Sequence, residues 1–316
     1  MSPMPPILVY HRNAAIYDRL LRAALPGVEL FATTDPAELE ARIGGAEILV
    51  CMELTPAQAR MATSLRWIQA TSSGVDRLLE VRQEIAHAVL TNARGIHADL
   101  MSEYVMAGMM MARWDFPALL REQAGRRWAR SPRRSLAGAT VAVVGLGPVG
   151  LETARRAAVF GMNVIGVTRS GRPVDGVGRV IAASRLREAL PDCDFLALAV
   201  PTTDDTRGMV GAAEIAAMKP GAVVVNISRG SVIDEPAMIA ALQDGRLGGA
   251  VLDVFVEEPL PQASPLWGMP NVIVTPHISG MTEDNEERFL DLFLDNLRRY
   301  RAGEPLVNTI DLQRGY

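Results

Sequence analysis

Two successive parallel α/β sheets are what this sequence predicts, and three observations carry the prediction. The first hundred residues alternate short apolar runs with helical stretches. A second series of the same kind begins near Ala139, with runs that are almost wholly apolar. In that second series a glycine-rich turn, Gly145-Leu-Gly-Pro-Val-Gly150, joins a strand to a helix. Strand–helix alternation with short connections gives a parallel sheet, and nearly all-apolar strands fit a sheet covered on both faces.

Taken in order, the first strands are expected at residues 7–10, 28–31, 48–51, 67–70 and 89–91, with helical segments such as 36–43 and 56–62 between them. One long apolar helix is expected over residues 100–121, followed by an arginine-rich irregular stretch at 126–134. The plain reading of that stretch is a solvated connector; the sharper one is an arm that meets a partner subunit or an anion. Strands of the second series are expected at 140–144, 163–167, 179–182, 195–199, 222–227, 250–254 and 272–275. In the final segment, residues 282–301, Phe289, Leu290, Phe293 and Leu297 recur at the spacing of an amphipathic helix.

Composition narrows the function. A chain of 316 residues is long for one domain and comfortable for two. Its net charge of −4 gives no reason to expect a nucleic-acid surface. Arginine far outnumbers lysine, and Lys219 is the only lysine, so a lone arginine carries little weight here. Schiff-base chemistry would have to use Lys219, which sits in the turn Met-Lys-Pro-Gly. Cys51 and Cys193 lie in or beside apolar runs, without the spacing of a metal site or a redox motif. They read as small core residues in a reducing compartment. The opening Met-Ser-Pro-Met-Pro-Pro lacks the charged and apolar regions of a signal peptide. The methionine-rich stretch 105–111 is too short to span a bilayer. A soluble, cytoplasmic protein with neither membrane nor nucleic-acid partners is expected.

The glycine turn is informative because of its context: a buried strand precedes it and a helix starts near Pro148, a favoured residue for a first helical turn. Gly145 permits the tight turn, Gly147 lets a pyrophosphate approach the backbone, and Gly150 lets helix and strand pack closely. The helix start offers unpaired N–H groups to the phosphates. An NAD-selective site carries a carboxylate about 20 residues on, at the end of the next strand, for the ribose 2′-OH. Thr168-Arg169-Ser170 stands there instead. Arg169 can pair with a 2′-phosphate, and Thr168 and Ser170 can hydrogen-bond it. NADP(H) is therefore expected over NAD(H), which stays the alternative.

Three later loops, each following an apolar strand, hold Arg229, Glu258 and His277. A dinucleotide turn followed by an anion holder, a carboxylate and an imidazole is the equipment for moving a hydride and a proton together. Arg229 offers a planar fork of donors to a carboxylate and its neighbouring carbonyl oxygen. His277 can give that oxygen a proton, and Glu258 can orient the ring and favour its charged form.

At this point the chain resembles the D-isomer-specific 2-hydroxyacid dehydrogenases over nearly its whole length. The motifs that carry the likeness are Thr71-Ser-Ser-Gly-Val-Asp76, Ser102-Glu-Tyr104, the Gly145–Gly150 turn, Val200-Pro-Thr202 with Thr206, Lys219-Pro-Gly221, Asn226-Ile-Ser-Arg-Gly230, Leu252-Asp-Val254, Glu257-Glu-Pro259 and Thr275-Pro-His277. Ser264-Pro-Leu-Trp267 and the basic turn at 168–170 look most like the glyoxylate/hydroxypyruvate reductase branch. The resemblance implies two doubly wound domains with the active site in a cleft between them. A flavodoxin-like substrate domain would comprise residues 1–103 and 284–316, and a Rossmann coenzyme domain residues 104–283. It implies a homodimer formed through the coenzyme domains.

The same resemblance implies roles for single residues. Arg229, Glu258 and His277 would be catalytic. Val149, Val200, Ile227, Ser228 and Gly280 would join Gly145, Gly147, Pro148, Gly150 and the 168–170 turn around the cofactor. Asp253 would hold the nicotinamide amide, and Pro201 with Thr206 would border the adenosine. Backbone N–H groups of Ser73 and Gly74 would bind the substrate carboxylate. Met52 would face the substrate side chain, unless it is an ordinary core methionine. His11, His87 and His97 read as surface or packing residues, with His97 nearest a family motif. The expected reaction is reduction of a small 2-oxo acid, glyoxylate or hydroxypyruvate in type, to the D-2-hydroxy acid. The alternatives are a phosphite dehydrogenase of the same family and a dinucleotide-sensing, corepressor-like protein. Formate-type members lack the Glu partner, so Glu258 argues against them.

Overall fold

The computed structural model describes residues 4–316; residues 1–3, which open the Met-Ser-Pro-Met-Pro-Pro stretch, lie outside the described residues. The chain divides into two compact units, Met1–Ile96 with Thr282–Tyr316, and His97–Met281.

The first unit runs β1 (Ile7–Tyr10), α1 (Ala14–Ala24), β2 (Leu30–Thr33), α2 (Pro36–Ile43), β3 (Ile48–Cys51), α3 (Pro56–Met61), β4 (Trp67–Ala70), α4 (Asp76–Leu79) and β5 (Val89–Thr91). Its strands pair in parallel in the order β2-β1-β3-β4-β5. Successive strand residues point to opposite faces, so each strand feeds two cores. Leu8, Leu49 and Ile68 pack with Leu39, Ile43 and Leu78 on one face. Ile7, Ile48 and Trp67 pack with Tyr17, Leu21, Phe289 and Phe293 on the other. The two phenylalanines come from the last helix, Asn285–Ala302, and Phe293 stacks on Trp67 at 5.2 Å. Helices α2 and α3 start as their sequences dictate, on Asp35 and on a Thr55/Gln58 capping box, each followed by proline. Strand β2 begins two residues later than the apolar run 28–31 suggests. Gly27 (φ 80°) and a bond from the Val28 N–H to the Leu25 carbonyl spend Val28 on leaving α1.

The second unit runs α5 (Ala98–Trp114), α6 (Phe116–Ala124), β6 (Thr140–Val144), α7 (Pro148–Val159), β7 (Asn163–Thr168), β8 (Arg179–Ala182), α8 (Leu186–Ala189), β9 (Phe195–Leu198), α9 (Ala212–Ala217), β10 (Ala222–Asn226), α10 (Glu235–Gln243), β11 (Leu247–Leu252) and β12 (Val272–Val274). The sheet order is β12-β11-β10-β9-β6-β7-β8, parallel throughout. Where one helix is expected over 100–121 there are two. Asp115 turns left-handed (φ 53°), and Pro117, which lacks an N–H, sits in the first turn of α6. The chain passes into this unit at residue 97, earlier than the expected 104, because α5 is a sheet-covering helix from its start. Val105, Met106 and Met109 share a core with Val141, Val225 and Val251, and a Cβ on Gly108 would lie 2.8 Å from Val251. The return falls at 282 rather than 284.

Candidate active site

In the second unit, β6 lies between β7 and β9, where the strand order reverses. Ligands of open α/β sheets bind beyond the strand ends at such a point. The β6–α7 turn is built for close approach. Gly145 has φ 92°, and a Cβ there would meet the Ala199 carbonyl oxygen at 2.5 Å and Val200 at 2.7 Å. A Cβ on Gly150 would fall 1.8 Å from the Gly145 oxygen, whereas Gly147 faces open space. Helix α7 starts at Pro148 with Gly147 as its cap, so the cap residue has no side chain to cover the first-turn N–H groups. Val149 is half-buried in that first turn. A pyrophosphate fits this cradle.

Around it, the Thr168 hydroxyl accepts the Gly171 N–H at 3.0 Å, shaping a turn on which Arg169 and Ser170 are exposed. The Thr206 hydroxyl donates to the Pro201 carbonyl at 2.6 Å and accepts the Thr203 N–H at 2.8 Å, closing the loop after β9. Ile227 and Ser228 are buried. A Cβ on Gly280 would touch Met101 and His97 at ordinary distance.

Strands β10, β11 and β12 are neighbours, so the loops after them lie side by side, and those loops hold Arg229, Glu258 and His277. Buried Asn226 closes β10 and shapes the first loop. Its side-chain Oδ1 accepts the Ser228 N–H (3.0 Å) and hydroxyl (2.7 Å), and its side-chain Nδ2 donates to the Arg229 carbonyl at 3.0 Å. Gly230 lets this loop press on the next one: a Cβ there would lie 1.9 Å from the Phe255 carbonyl carbon. Glu258, joined to Pro259 by a cis peptide, is held by the Phe255 N–H at Oε1 (2.9 Å) and meets His277 Nδ1 through Oε2 at 2.7 Å. Of the adjacent Glu257 and Glu258, it is Glu258 that reaches the imidazole. Glu258 thus engages Nδ1, and Nε2 is the other ring nitrogen. Half of the His277 side chain is exposed, and its backbone is left-handed at φ 55°. That conformation costs a non-glycine residue about 1–3 kcal/mol and persists only where the surroundings hold it.

The hold comes from Asp253, which has no exposed surface. Its Oδ1 accepts the Ile278 N–H at 2.9 Å and the Thr275 hydroxyl at 2.5 Å, and its Oδ2 accepts the Ser279 N–H at 2.8 Å. The Tyr104 hydroxyl lies 2.6 Å from Thr275 Oγ1. Burial pushes that phenol up to about 12, so it stays protonated at neutral pH. Sequence reasoning gave no role to Asn226, Gly230, Thr275 or Tyr104 beyond their place in motifs. The available signal was a polar residue closing an otherwise apolar strand, as in Ala-Val-Val-Val-Asn226 and Val-Ile-Val-Thr275.

In the first unit, Met52 follows β3 with 41 % of its surface exposed, so it is not a core methionine. Ser73 and Gly74 lie in the loop after β4, tied down by bonds from Ser72 Oγ to the Gly74 carbonyl (2.7 Å) and from Asn92 Nδ2 to the Ser73 carbonyl (2.6 Å). Other candidates take structural places. Lys219 pairs with Asp194 at 2.9 Å. Burial pushes the Cys51 thiol up to about 12 and the Cys193 thiol up to about 11, which suits packing rather than nucleophilic attack. His11 and His97 are buried, and His87 Nε2 lies 2.9 Å from the Ala62 carbonyl oxygen. Among the described residues, no group of three or more His, Cys, Asp or Glu side chains is placed to hold a metal, and no helix is long and apolar enough to cross a membrane.

A glycine cradle after β6, with an arginine and a paired imidazole in loops after β10 and β12 at the same end of one parallel sheet, is the equipment of a nicotinamide-dependent oxidoreductase. Comparison with known proteins gives the particular kind. A family model described as D-isomer specific 2-hydroxyacid dehydrogenase, NAD binding domain, matches residues 106–279, and the chain belongs to that family. It is an NAD(P)-dependent dehydrogenase of small hydroxy and oxo acids. It is 37 % identical to an (S)-sulfolactate dehydrogenase from Chromohalobacter salexigens, over 74 % of this chain and 77 % of that one. Among solved structures, a D-isomer specific 2-hydroxyacid dehydrogenase family protein from Aeromonas salmonicida is 37 % identical, with a TM-score of 0.87 over 98 % of this chain and 100 % of that one. An NADPH-dependent glyoxylate/hydroxypyruvate reductase from Sinorhizobium meliloti, in complex with NADP and sulfate, is 30 % identical, with a TM-score of 0.90 over 99 % of this chain and 100 % of that one.

Proposed function

We propose that the protein reduces a small 2-oxo acid of the glyoxylate/hydroxypyruvate type to the D-2-hydroxy acid, with NADP(H) preferred over NAD(H). The observation that carries the proposal is the His277–Glu258 pair at 2.7 Å, with Nε2 left to exchange a proton. When bound, the reduced nicotinamide supplies the hydride to the carbonyl carbon. Arg229 binds the substrate carboxylate and polarises the carbonyl. His277 donates its Nε2 proton to the oxygen as negative charge grows there, and Glu258 holds the ring and compensates its charge.

The cofactor rests on the cradle of Gly145, Gly147, Pro148, Val149 and Gly150, with Val200, Pro201 and Thr206 along the adenosine side and Ile227, Ser228 and Gly280 toward the nicotinamide. Arg169, with Thr168 and Ser170, takes the 2′-phosphate; the absence of a carboxylate in this turn supports that choice. For Ser73, Gly74 and Met52 the proposal rests on the family likeness: backbone donors for a carboxylate oxygen, and a wall for the substrate's substituent. A cytoplasmic homodimer completes the reading. It is supported by exposed Trp114, Phe116 and Leu120 on and beside α5 and α6, and by Trp128, 93 % exposed in the arginine-rich stretch. Light scattering tests the dimer.

The test of the reaction is oxidation of NADPH, followed by its absorbance, with glyoxylate, hydroxypyruvate, pyruvate, phenylpyruvate and ketoisocaproate, each repeated with NADH. Turnover with NADPH exceeding that with NADH supports the proposal. Silence across the panel with NADPH still bound would turn the reading toward phosphite oxidation or nucleotide sensing.

A further inference from the structure

We propose that Asp253, Thr275 and Tyr104 form a positioning chain whose task is to hold His277. The inference rests on the catalytic reading of His277 above, but its geometry stands by itself. Asp253 ends up buried under the loop that carries the histidine, and three donors from that loop occupy its two oxygens. Two of them, the N–H groups of Ile278 and Ser279, follow His277 directly, and the third, the Thr275 hydroxyl, lies two residues before it. The carboxylate therefore grips both sides of the one residue in the loop with a left-handed backbone.

The direction of each hydrogen bond follows from the chemistry. Both Asp253 oxygens already accept backbone N–H groups, and the single Thr275 hydroxyl proton goes to Oδ1. Thr275 Oγ1 must then receive the proton of Tyr104, which its 2.6 Å separation allows and its protonated state requires. The result is a one-way chain, from Tyr104 through Thr275 to Asp253. Tyr104 stands on α5, a helix packed along the sheet core. The chain thus references the histidine loop to the rigid body of the unit. The family likeness gives Asp253 the nicotinamide amide. With three donors from the histidine loop on its two oxygens, the same carboxylate also has this second task, exerted through His277.

The test compares Thr275→Val, which keeps shape and loses the hydroxyl, with Thr275→Ser, which keeps the hydroxyl, and with Tyr104→Phe as a second route to the same bond. The proposal predicts that Thr275→Val lowers kcat about tenfold or more, because a displaced catalytic group loses rate. The KM for the oxo acid and the NADPH dissociation constant stay within about twofold of wild type, as expected when binding contacts are untouched. Thr275→Ser recovers most of the rate, and Tyr104→Phe falls between. A readout without substrate runs in parallel. Amide hydrogen exchange of Ile278 and Ser279 in the cofactor-free protein speeds up about tenfold or more in Thr275→Val, as a loosened loop should, and returns in Thr275→Ser. Unchanged kcat and unchanged exchange in Thr275→Val would overturn the proposal. So would a weakened NADPH affinity with kcat intact, which would return the chain to cofactor binding. If wild-type protein reduces no oxo acid, the proposed function fails while the exchange experiment still decides the clamp.

Discussion

Gly230→Ala puts a single methyl group between the two loops that carry Arg229 and Glu258. In the native structure a Cβ at residue 230 would lie 1.9 Å from the Phe255 carbonyl carbon and 2.2 Å from both the Phe255 oxygen and the Val256 nitrogen. All three are backbone atoms, so no side-chain rotation relieves the clash. Restoring contact needs a relative shift of about 1.5 Å between the loops, and overpacking of this kind costs about 1–3 kcal/mol of stability. The shift acts where it matters, because the Phe255 N–H holds Glu258 Oε1, and Glu258 in turn holds His277. A misplacement of 1 Å at a reacting group is worth about a hundredfold in rate. The variant should therefore keep NADPH binding, since the β6–α7 cradle is untouched, melt a few degrees lower, and lose kcat by about a hundredfold. The assay is steady-state oxidation of NADPH, with a thermal melt and a cofactor titration alongside. A kcat within about twofold of wild type would refute the reasoning, because it would mean that the Glu258 loop need not stay where Gly230 lets it lie.

Other perturbations have equally definite outcomes. His277→Ala should lower turnover by about three or more orders of magnitude with cofactor affinity retained, as loss of a general acid does; near-normal turnover would remove the residue from the reaction. Arg169→Ala should lower kcat/KM with NADPH by about 10–100-fold, the worth of a charge-assisted hydrogen bond to phosphate, and leave NADH within about twofold. His11 supplies a pH dependence. Burial, reinforced by Arg12, lowers it from 6.5 to about 4, and its Nδ1 accepts the Asn13 N–H at 3.0 Å, a bond that protonation on that nitrogen would break. Between those values the unfolded chain binds a proton that the folded chain refuses. Stability from this group is therefore present above pH 6.5 and is lost as pH falls toward 4, by on the order of 2–3 kcal/mol. The urea midpoint of wild type should drop more between pH 7 and pH 4.5 than that of His11→Gln; equal drops would contradict the assignment.

Much of this molecule was readable from its residues. Strand positions such as Ile48–Cys51 and Trp67–Ala70 follow from apolar runs bounded by turn residues, and the glycine turn announced both its geometry and its ligand class. The three loops with Arg229, Glu258 and His277 were visible because each follows an apolar strand. What one-dimensional pattern hides is pairing and local punctuation. The break at Asp115 depends on a left-handed residue set against Pro117 within an otherwise continuous helical pattern. The start of β2 depends on its register with Ile7. Asn226 was only a motif residue and Asp253 a cofactor candidate, and their hydrogen bonds reveal that they also shape the Arg229 loop and the His277 loop.

The central claim is that hydride and proton are delivered together to the carbonyl of a 2-oxo acid, on one face. The most direct measurement uses NADPH carrying deuterium at both C4 positions of the nicotinamide and hydroxypyruvate as acceptor, with the product analysed by mass and by chiral separation. The account predicts glycerate of D configuration carrying the deuterium at C2. Glycerate without deuterium, product of L configuration, or no product while hydroxypyruvate and NADPH both bind would contradict it.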